Sequence, residues 1–155
     1  MPTFRLAVDG DDEALTAVER AASMRALGHV FPPQEHPYPT ADVRERWRGL
    51  LRDQEVRVGI AEDRAGPAAC VAVDDEVLRH LAVRPDRWGT GVARAALEWA
   101  GRNATVTRLW CLEENHRALG FYRHLGWTPS GRRQRAEFPP FPAEVELVLL
   151  GPDRS

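Results

Sequence analysis

Apolar residues recur along this chain at two spacings, and these spacings predict strands and helices. Short apolar or alternating runs predict strands at Phe4–Val8, Val56–Glu62, Pro67–Val73, Val77–Val83, Thr107–Leu112 and Val145–Leu150. Helical spacing predicts helices from the acidic turn Asp9–Asp12 to Gly28, over Ala41–Asp53, after Gly91 and within Asn115–Trp127. The resulting order, β-α-α-β-β-β-α-β-α-β, predicts a mixed α/β (α+β) domain.

Polar residues and glycines mark where these elements begin and end. The carboxylates of Asp9–Asp12 and the hydroxyl of Thr40 are placed to cap the first two helices, and Asn115 is placed to cap the last. Gly126 suits the left-handed residue that ends a helix. The turn Asp63–Gly66 predicts an antiparallel hairpin between the second and third strands.

Composition then narrows the class of protein. The 155 residues are 43% hydrophobic and carry a net charge of −2, which predicts one domain over residues 1–155 and no nucleic-acid partner. No apolar run is long enough for a membrane span, and the N-terminus does not resemble a signal peptide, so we expect a cytoplasmic protein. All 21 basic residues are arginine, a bias typical of GC-rich bacterial genomes. Cys70 and Cys111 form no metal or redox motif and are expected to be buried thiols; no metal is expected.

The stretch "RPDRWGTGVARAAL" turns from a strand into a helix through two glycines. Backbone N–H groups in the first turn of a helix lack intrahelical partners, and the helix dipole adds positive charge there. Gly89 and Gly91 leave room for an anion to approach these groups. The stretch lacks the Lys-Ser/Thr of a P-loop and the spacing of a dinucleotide fingerprint. A tight structural turn and an anion site both remain open at this point.

A second motif resolves the choice. "NHRALGFYRHLGW" follows about 20 residues after the glycine corner, and the pair resembles the GNAT superfamily of acyl-CoA-dependent N-acyltransferases. The family's first motif reads Val-x-Pro followed by Arg/Gln-x-x-Gly-x-Gly/Ala. The second reads Asn-x-x-Ala-x-x-Phe-Tyr-x-x-x-Gly-Phe/Trp, and it matches here at Asn115, Ala118, Phe121, Tyr122, Gly126 and Trp127. The resemblance implies a central mixed, mostly antiparallel twisted sheet of about six to seven strands, flanked by about four helices.

The resemblance also implies acetyl-CoA as cosubstrate and a set of residues that bind it. Trp88 departs from the pattern, because it occupies a position that the family often gives to Arg or Gln. Backbone amides would then bind the pyrophosphate, with Arg87 or Arg94 as charge partners, and Trp88 would contact CoA or only cover the helix start. The full cofactor-binding set is Leu81, Ala82, Val83, Trp88, Gly89, Thr90, Gly91, Val92, Ala93, Arg94 and Asn115.

Acetyl transfer from a thioester to an amine needs a proton donor for the thiolate and a base for the amine. Tyr122 matches the family's donor. Two residues are candidates for the base. Glu76 lies where some members place a carboxylate that acts through water, and the pKa range of His80, on the face of its strand shared with Leu78 and Ala82, suits proton removal near neutral pH.

The acceptor site of this family lies between the first two helices and the last strands. Two proline-rich and aromatic segments occupy those regions here, and they predict a substrate pocket with walls from Phe31, Tyr38, Phe138 and Phe141. Glu35 or Glu137 would attract a cationic amine. The predicted function is therefore direct acetyl transfer to a primary amine of a small molecule. Protein N-terminal acetylation and non-catalytic acyl-CoA sensing remain alternatives, and a homodimer is possible if the last strand lies at a sheet edge.

Overall fold

The computed structural model describes residues 2–149, which form one sheet with helices on both faces. Its strands are β1 (Phe4–Leu6), β2 (Val56–Asp63), β3 (Gly66–Asp74), β4 (Val77–Val83), β5 (Arg108–Leu112), β6 (Thr128–Arg135) and β7 (Ala143–Val148). Its helices are α1 (Asp12–Ala26), α2 (Thr40–Arg52), α3 (Val92–Asn103) and α4 (His116–His124), with a short 3-10 turn at Pro85–Arg87. Within residues 2–149, no helix combines the length and the apolar character that crossing a bilayer requires.

The sheet confirms the predicted fold class. Its strands lie in the order β1-β2-β3-β4-β5-β7-β6. The pairing of β4 with β5 is parallel, and the other five pairings are antiparallel. The predicted hairpin between β2 and β3 is present, with Asp63 paired to Gly66 at the turn.

Two apolar layers, one on each face, hold the helices to the sheet. Val71 and Val73 of β3 pack with Trp99 of α3 and with residues of α4, whereas Cys70 and Ala72 pack with residues of α1 and α2. Successive side chains of a strand point to opposite faces, so this strand is buried on both sides and reads as a continuous apolar run. Cys70 and Cys111 are both free and buried, as predicted.

A glycine lets α3 pack close to the sheet. A Cβ at Gly59 would lie 3.0 Å from the Cζ3 atom of Trp99, which is closer than normal side-chain contacts. Because cores are packed at crystal-like density, the indole can occupy this position only over a residue without a side chain. The contact fixes the height of α3 above β2, and α3 begins at the glycine corner.

A bulge in β4 shapes the centre of the sheet. Val73 pairs with Leu78 but Ala72 pairs with His80, so Arg79 is an extra residue in the strand. A bulge of this kind bends its strand and shifts the side-chain alternation by one. Leu78 therefore lies in the layer beneath α3 and α4, whereas His80 contacts Trp47 of α2 on the opposite face. The predicted shared face of Leu78 and His80 is wrong for this reason.

Beyond the bulge, β4 separates from β5. The parallel ladder joins Val77 to Arg108 and Leu78 to Leu109, and it then ends. β4 nevertheless continues to Val83 and β5 to Leu112. The two strands consequently leave a gap in the middle of the sheet, with backbone groups of β4 facing it.

The pattern of apolar residues did not predict β6. Every residue of "TPSGRRQR" is exposed, so no alternation marks the strand, and three arginines, a proline and a glycine all disfavour one. Exposed charge is typical of edge strands, which must not pair with other chains.

The position of β7 overturns the argument for a dimer. β7 pairs with β5 on one side and β6 on the other, so it lies inside the sheet instead of at its edge. Leu150, the last residue of the strand predicted here, lies outside the described residues.

Two of the three predicted helix caps are wrong. The carboxylate of Asp11 accepts hydrogen bonds from Arg5 and from the backbone N–H of Val8 instead of capping α1. Thr40 is the first residue of α2 and makes no capping bond, since Pro39 precedes the helix. The third prediction is confirmed, because the side-chain oxygen of Asn115 accepts a hydrogen bond of 3.2 Å from the N–H of Ala118.

Candidate active site

The gap between β4 and β5 opens into a cleft with a volume of about 1210 Å³, hereafter the main cleft. Its walls come from the ends of β4 and β5, the glycine corner and the first two turns of α4. Most of the residues predicted to bind the cofactor line it, namely Leu81, Ala82, Val83, Trp88, Gly89, Gly91, Ala93, Arg94 and Asn115. The separation of the two strands therefore brings both sequence motifs to one cavity.

The backbone at the glycine corner adopts conformations that favour glycine. The φ angles of Gly89 and Gly91 are +76° and +89°, in the left-handed region that other residues rarely adopt. A Cβ at Gly89 would meet no protein atom within 4 Å, so the position is open on the cleft side. Gly91 immediately precedes α3, whose unpaired N–H groups follow it. The corner thus offers amide donors at the mouth of the cleft.

Trp88 packs against the core beneath the glycine corner. Its indole Nε1 donates a 2.7 Å hydrogen bond to the carbonyl oxygen of Val83, and the ring packs against Val83 and Val92. On the exposed side of the ring lies the guanidinium of Arg117, with Cζ 4.2 Å from the ring centroid. The side chain therefore links the end of β4 to the start of α3 and also positions a cation from α4.

The arginines around the cleft divide into paired and unpaired groups. Arg87 binds the carboxylate of Asp63 at 2.6 Å, and Arg84 shares the same carboxylate. Arg94 and Arg117 line the cleft and form no ion pair among residues 2–149. Both predicted charge partners line the cleft, but Arg87 is paired with Asp63 and Arg94 is not, and Arg117 was not predicted. A stacked arginine leaves no local pattern in the sequence, because Trp88 and Arg117 lie far apart along the chain.

Two of the predicted cofactor-binding side chains do not reach the cleft. The hydroxyl of Thr90 donates to the carbonyl oxygen of Arg87 and stays outside. Val92 is buried in the core beside Ala61 and Ala69. At these two positions only the backbone is available to a ligand.

Tyr122 lies in the wall of the main cleft. Its ring packs edge-on against Phe121 and Trp127, and the residue is buried. Burial raises the pKa of the phenol above its usual value, and the nearby Cys111 raises it further. Tyr122 is consequently protonated throughout the neutral range, which is the state a proton donor requires.

A second cavity, hereafter the side cavity, lies beneath the segment that joins α1 to α2. Its volume is about 420 Å³, and Phe31, Tyr38 and Phe138 line it as predicted. Phe141 does not. Its φ of +57° belongs to a tight turn in the loop between β6 and β7, and its side chain is 45% exposed to solvent.

The side cavity is acidic. Five carboxylates line it against a single guanidinium, that of Arg46. Arg46 binds Glu19 and also Glu137, at 3.0 Å for the latter. Glu35 lines the cavity and forms no ion pair in the described part of the chain. The remaining acidic residues are Asp42 and Glu144. The surplus of negative charge favours a cationic ligand.

The two cavities meet at a group of shared lining residues that includes His80 and Glu144 together with Glu19, Arg46 and Glu137. Burial lowers the pKa of His80 well below its usual value, and Arg46 and Arg79 lower it further, so the imidazole is neutral. For Glu144 the direction is opposite, because burial and the charge of Glu137 raise its pKa. A carboxylate with a raised pKa is a stronger base than an ordinary glutamate.

Like Tyr122, Glu144 lines the main cleft. It faces Leu112 across the β5–β7 ladder, next to Cys111. The charge of Glu144 helps to raise the pKa of the Cys111 thiol to about 12, and Cys111 in turn raises the pKa of Tyr122. Glu144 is not among the residues predicted from the sequence. The sequence pattern that could have identified it is "AEVELV", in which glutamates alternate with apolar residues. This alternation places two carboxylates on one face of a central strand.

The structure does not bring Glu76 to this junction. Glu76 lies in the turn before β4, at the end of the strand where β4 still pairs with β5, and its carboxylate binds Arg108 at 3.0 Å. It lines neither cavity. Its neighbour Val77 lines the main cleft, so Glu76 lies beside the cleft and its role as a base stays a prediction.

Comparison with known proteins agrees with this geometry. Residues 54–129, which include both motifs, match the model of the acetyltransferase (GNAT) domain. No curated protein sequence matches the chain.

Solved structures share the whole fold. The apo form of YjaB from Escherichia coli is 20% identical with a TM-score of 0.72, over 97% of this chain and 99% of that one. The PaiA N-acetyltransferase of Thermoplasma acidophilum in complex with coenzyme A is 13% identical with a TM-score of 0.75, over 96% and 99%. A spermidine N-acetyltransferase variant from Vibrio cholerae is 17% identical with a TM-score of 0.62, over 96% and 94%. At these identities the likeness establishes the fold alone.

Proposed function

Because this chain belongs to the GNAT acetyltransferases, we propose that it transfers an acetyl group from acetyl-CoA directly to a primary amine of a small cationic molecule. The observation that carries the proposal is the meeting of two cavities at Glu144 and His80. One cavity has the features of a CoA site with Tyr122 in its wall, and the other is aromatic and acidic. We propose further that residues 1–155 act as one catalytic domain.

The hydrogen-bond donors and positive charges of the main cleft suit acetyl-CoA. The edge of β4 beyond Leu78 has no ladder partner in β5, so an extended pantetheine arm can pair with it as an added strand. Amides at the corner Gly89–Gly91 are available to pyrophosphate oxygens, and Arg94 and Arg117 supply positive charge. A backbone N–H of β4 would polarise the thioester carbonyl.

The side cavity supports a cationic acceptor. An ammonium group is attracted by the surplus carboxylates, and Phe31, Tyr38 and Phe138 offer aromatic surface to its carbon skeleton and ring faces to its charge. Several acceptor classes carry such an amine, including polyamines, aminoglycosides and amino-acid derivatives. The spermidine enzyme among the structural neighbours acts on a molecule of this kind.

We assign the proton transfers to two residues. Glu144 accepts a proton from the bound ammonium, directly or through water, and the resulting amine attacks the acetyl carbonyl carbon. The new C–N bond forms and the C–S bond breaks. As the C–S bond breaks, the attacking nitrogen loses its second proton to solvent and Tyr122 gives its proton to the departing sulfur. Glu144 then releases its proton to solvent and Tyr122 recovers one, so the products are an amide, free CoA thiol and one proton.

Thiol release with a panel of amines tests the proposal. We expect turnover with acetyl-CoA and small polycationic or aromatic amines, and much less with neutral or anionic ones. Peptides with free N-termini belong in the same panel. Release with peptides alone would instead identify a protein N-terminal acetyltransferase. Micromolar CoA binding without thiol release from any amine would identify a sensor, and either result would contradict the proposal.

Replacing Arg117 with Ala is expected to raise the KM for acetyl-CoA about three- to tenfold with little change in kcat. A charge-assisted bond to a phosphate is stronger than a neutral hydrogen bond, but Arg117 is exposed and solvent screens it. Steady-state kinetics at two ionic strengths check this, because added salt should reduce the difference from wild type.

Arg123→Ala is the matched control for this prediction. Arg123 is also an exposed arginine of α4, but it does not line the main cleft. Equal KM values in Arg117→Ala and Arg123→Ala would show that only the general charge of the helix matters, which contradicts the assigned role of Arg117.

A further inference from the structure

Three metal-ligating side chains meet at the outer surface beside the start of α4. His29 comes from the segment between α1 and α2, while Glu114 and His116 flank the capping residue Asn115. One ligand atom from each of the three lies within 4.8 Å of the others. All three side chains are exposed, and the proposed acetyl transfer uses none of them.

The spacing within this cluster is compatible with a metal site. The Nε2 atom of His116 lies 3.4 Å from the Oε2 atom of Glu114, which is long for a hydrogen bond. Ligands held tetrahedrally at about 2.0–2.1 Å from Zn²⁺ lie roughly 3.3–3.4 Å apart. These two atoms therefore already have the separation of neighbouring ligands.

A hydrogen bond holds the ring of His29 beside the cluster. Its Nε2 lies 2.8 Å from the backbone carbonyl oxygen of Glu114, and because a carbonyl can only accept, Nε2 carries the proton. The lone pair is then on Nδ1. A metal-bound histidine almost always donates its other N–H to a carbonyl or carboxylate in this way, which fixes the tautomer and the ring. The ring of His29 is also nearly parallel to that of His116, with centroids 6.3 Å apart.

We propose that His29, Glu114 and His116 bind one divalent transition-metal ion of the Zn²⁺ type. Two imidazoles and one carboxylate match Zn²⁺ and its neighbours, whereas Mg²⁺ and Ca²⁺ prefer oxygen ligands alone. A small closing movement of exposed side chains would complete the site, and water would fill the fourth position.

The ion would join two parts of the molecule that are otherwise separate in the chain. His29 leads to Phe31 in the wall of the side cavity, and His116 begins the helix that carries Tyr122. Occupancy would therefore tie the segment over the side cavity to α4 and stabilise the folded protein.

Calorimetric titration of the untagged, chelator-treated full chain with ZnCl₂ tests the proposal. Because neither acetyl-CoA nor an amine is present, the result is independent of the proposed function. We expect one Zn²⁺ per chain, a rise in Tm on addition of Zn²⁺ and no saturable binding of Mg²⁺. His29→Ala and His116→Ala should each weaken Zn²⁺ binding at least about tenfold, and Glu114→Gln should weaken it as well.

His124→Ala provides the matched control, since His124 is another exposed histidine of α4 and lies outside the cluster. It should retain wild-type Zn²⁺ affinity. The Tm of each variant without metal shows whether it folds. Absence of saturable Zn²⁺ binding, binding that survives in both His29→Ala and His116→Ala, or binding lost in His124→Ala would each overturn the proposal.

Discussion

Replacement of Tyr122 by Phe is expected to lower kcat at least about tenfold while the affinity for CoA stays near wild type. A positioned general acid commonly contributes about 10²–10⁴-fold, so a larger loss is consistent with the same role. The substitution removes only the hydroxyl, and the ring can keep its edge-on packing against Phe121 and Trp127. A fall in kcat with unchanged CoA binding would separate proton donation from cosubstrate binding.

The pH dependence gives a second measurement for the same residue. A general acid acts in its protonated form, and the pKa of Tyr122 is raised above the usual value of about 10. Wild-type kcat should therefore show no loss from this group as the pH rises toward about 10. A loss near neutral pH that disappears in Tyr122→Phe would contradict the raised pKa.

Tyr38→Phe is the matched control, because Tyr38 is the other tyrosine of the chain and its hydroxyl donates to Glu19 in the side cavity. Loss of the Tyr38 hydroxyl alters the wall of the acceptor site, so it should change the KM for the amine. It should not affect protonation of the thiolate. An undiminished kcat in Tyr122→Phe would remove Tyr122 from the mechanism.

The sequence predicted the parts of this molecule that local patterns encode. Short apolar or alternating runs predicted β2 to β5, and two motifs predicted that the glycine corner and Tyr122 belong to one site. The structure brings those motifs to one cleft because β4 and β5 separate beyond Leu78. The separation begins beside the bulge at Arg79, and no residue type in "VLRHLAV" marks an extra residue in a ladder.

The charged residues of the site were harder to predict, because their roles depend on partners distant in sequence. Arg87 and Arg94 look alike in the chain, yet of these two only Arg87 binds Asp63. Glu76 and Glu144 are both carboxylates beside strands, but only Glu144 is half-buried at the junction of the two cavities. The strand β6 escaped prediction because its residues are exposed on both faces, which removes the hydrophobic signal on which such predictions depend.

Replacement of Glu144 by Gln is expected to lower kcat/KM for the amine on the order of a hundredfold, as the loss of a general base does. The change preserves the shape of the side chain, and its oxygen can still accept the 2.8 Å hydrogen bond from Gln134. The fold should therefore remain intact, which thermal unfolding checks. The measurement is thiol release as a function of amine concentration over a range of pH.

The pH dependence of kcat/KM identifies the base. The raised pKa of Glu144 sets the direction of the expected change. A base must be ionised, so wild-type kcat/KM should fall as the pH falls through a value above that of an ordinary glutamate. Glu144→Gln should lack this acidic limb. Glu137→Gln should move the limb to lower pH, because a neighbouring negative charge is one cause of the raised pKa and its removal favours the ionised form.

His80 is the competing base, and the same profiles distinguish it. The charges that lower the pKa of His80 are those of Arg46 and Arg79, and Arg46 also binds Glu137. Loss of the Glu137 charge would therefore lower the pKa of either base, so the profiles of Glu144→Gln and His80→Asn make the distinction. An acidic limb that persists in Glu144→Gln and disappears in His80→Asn would assign the base to His80 and contradict the role given to Glu144. Because neutral His80 is a weaker base than an ordinary histidine, we expect the limb to follow Glu144.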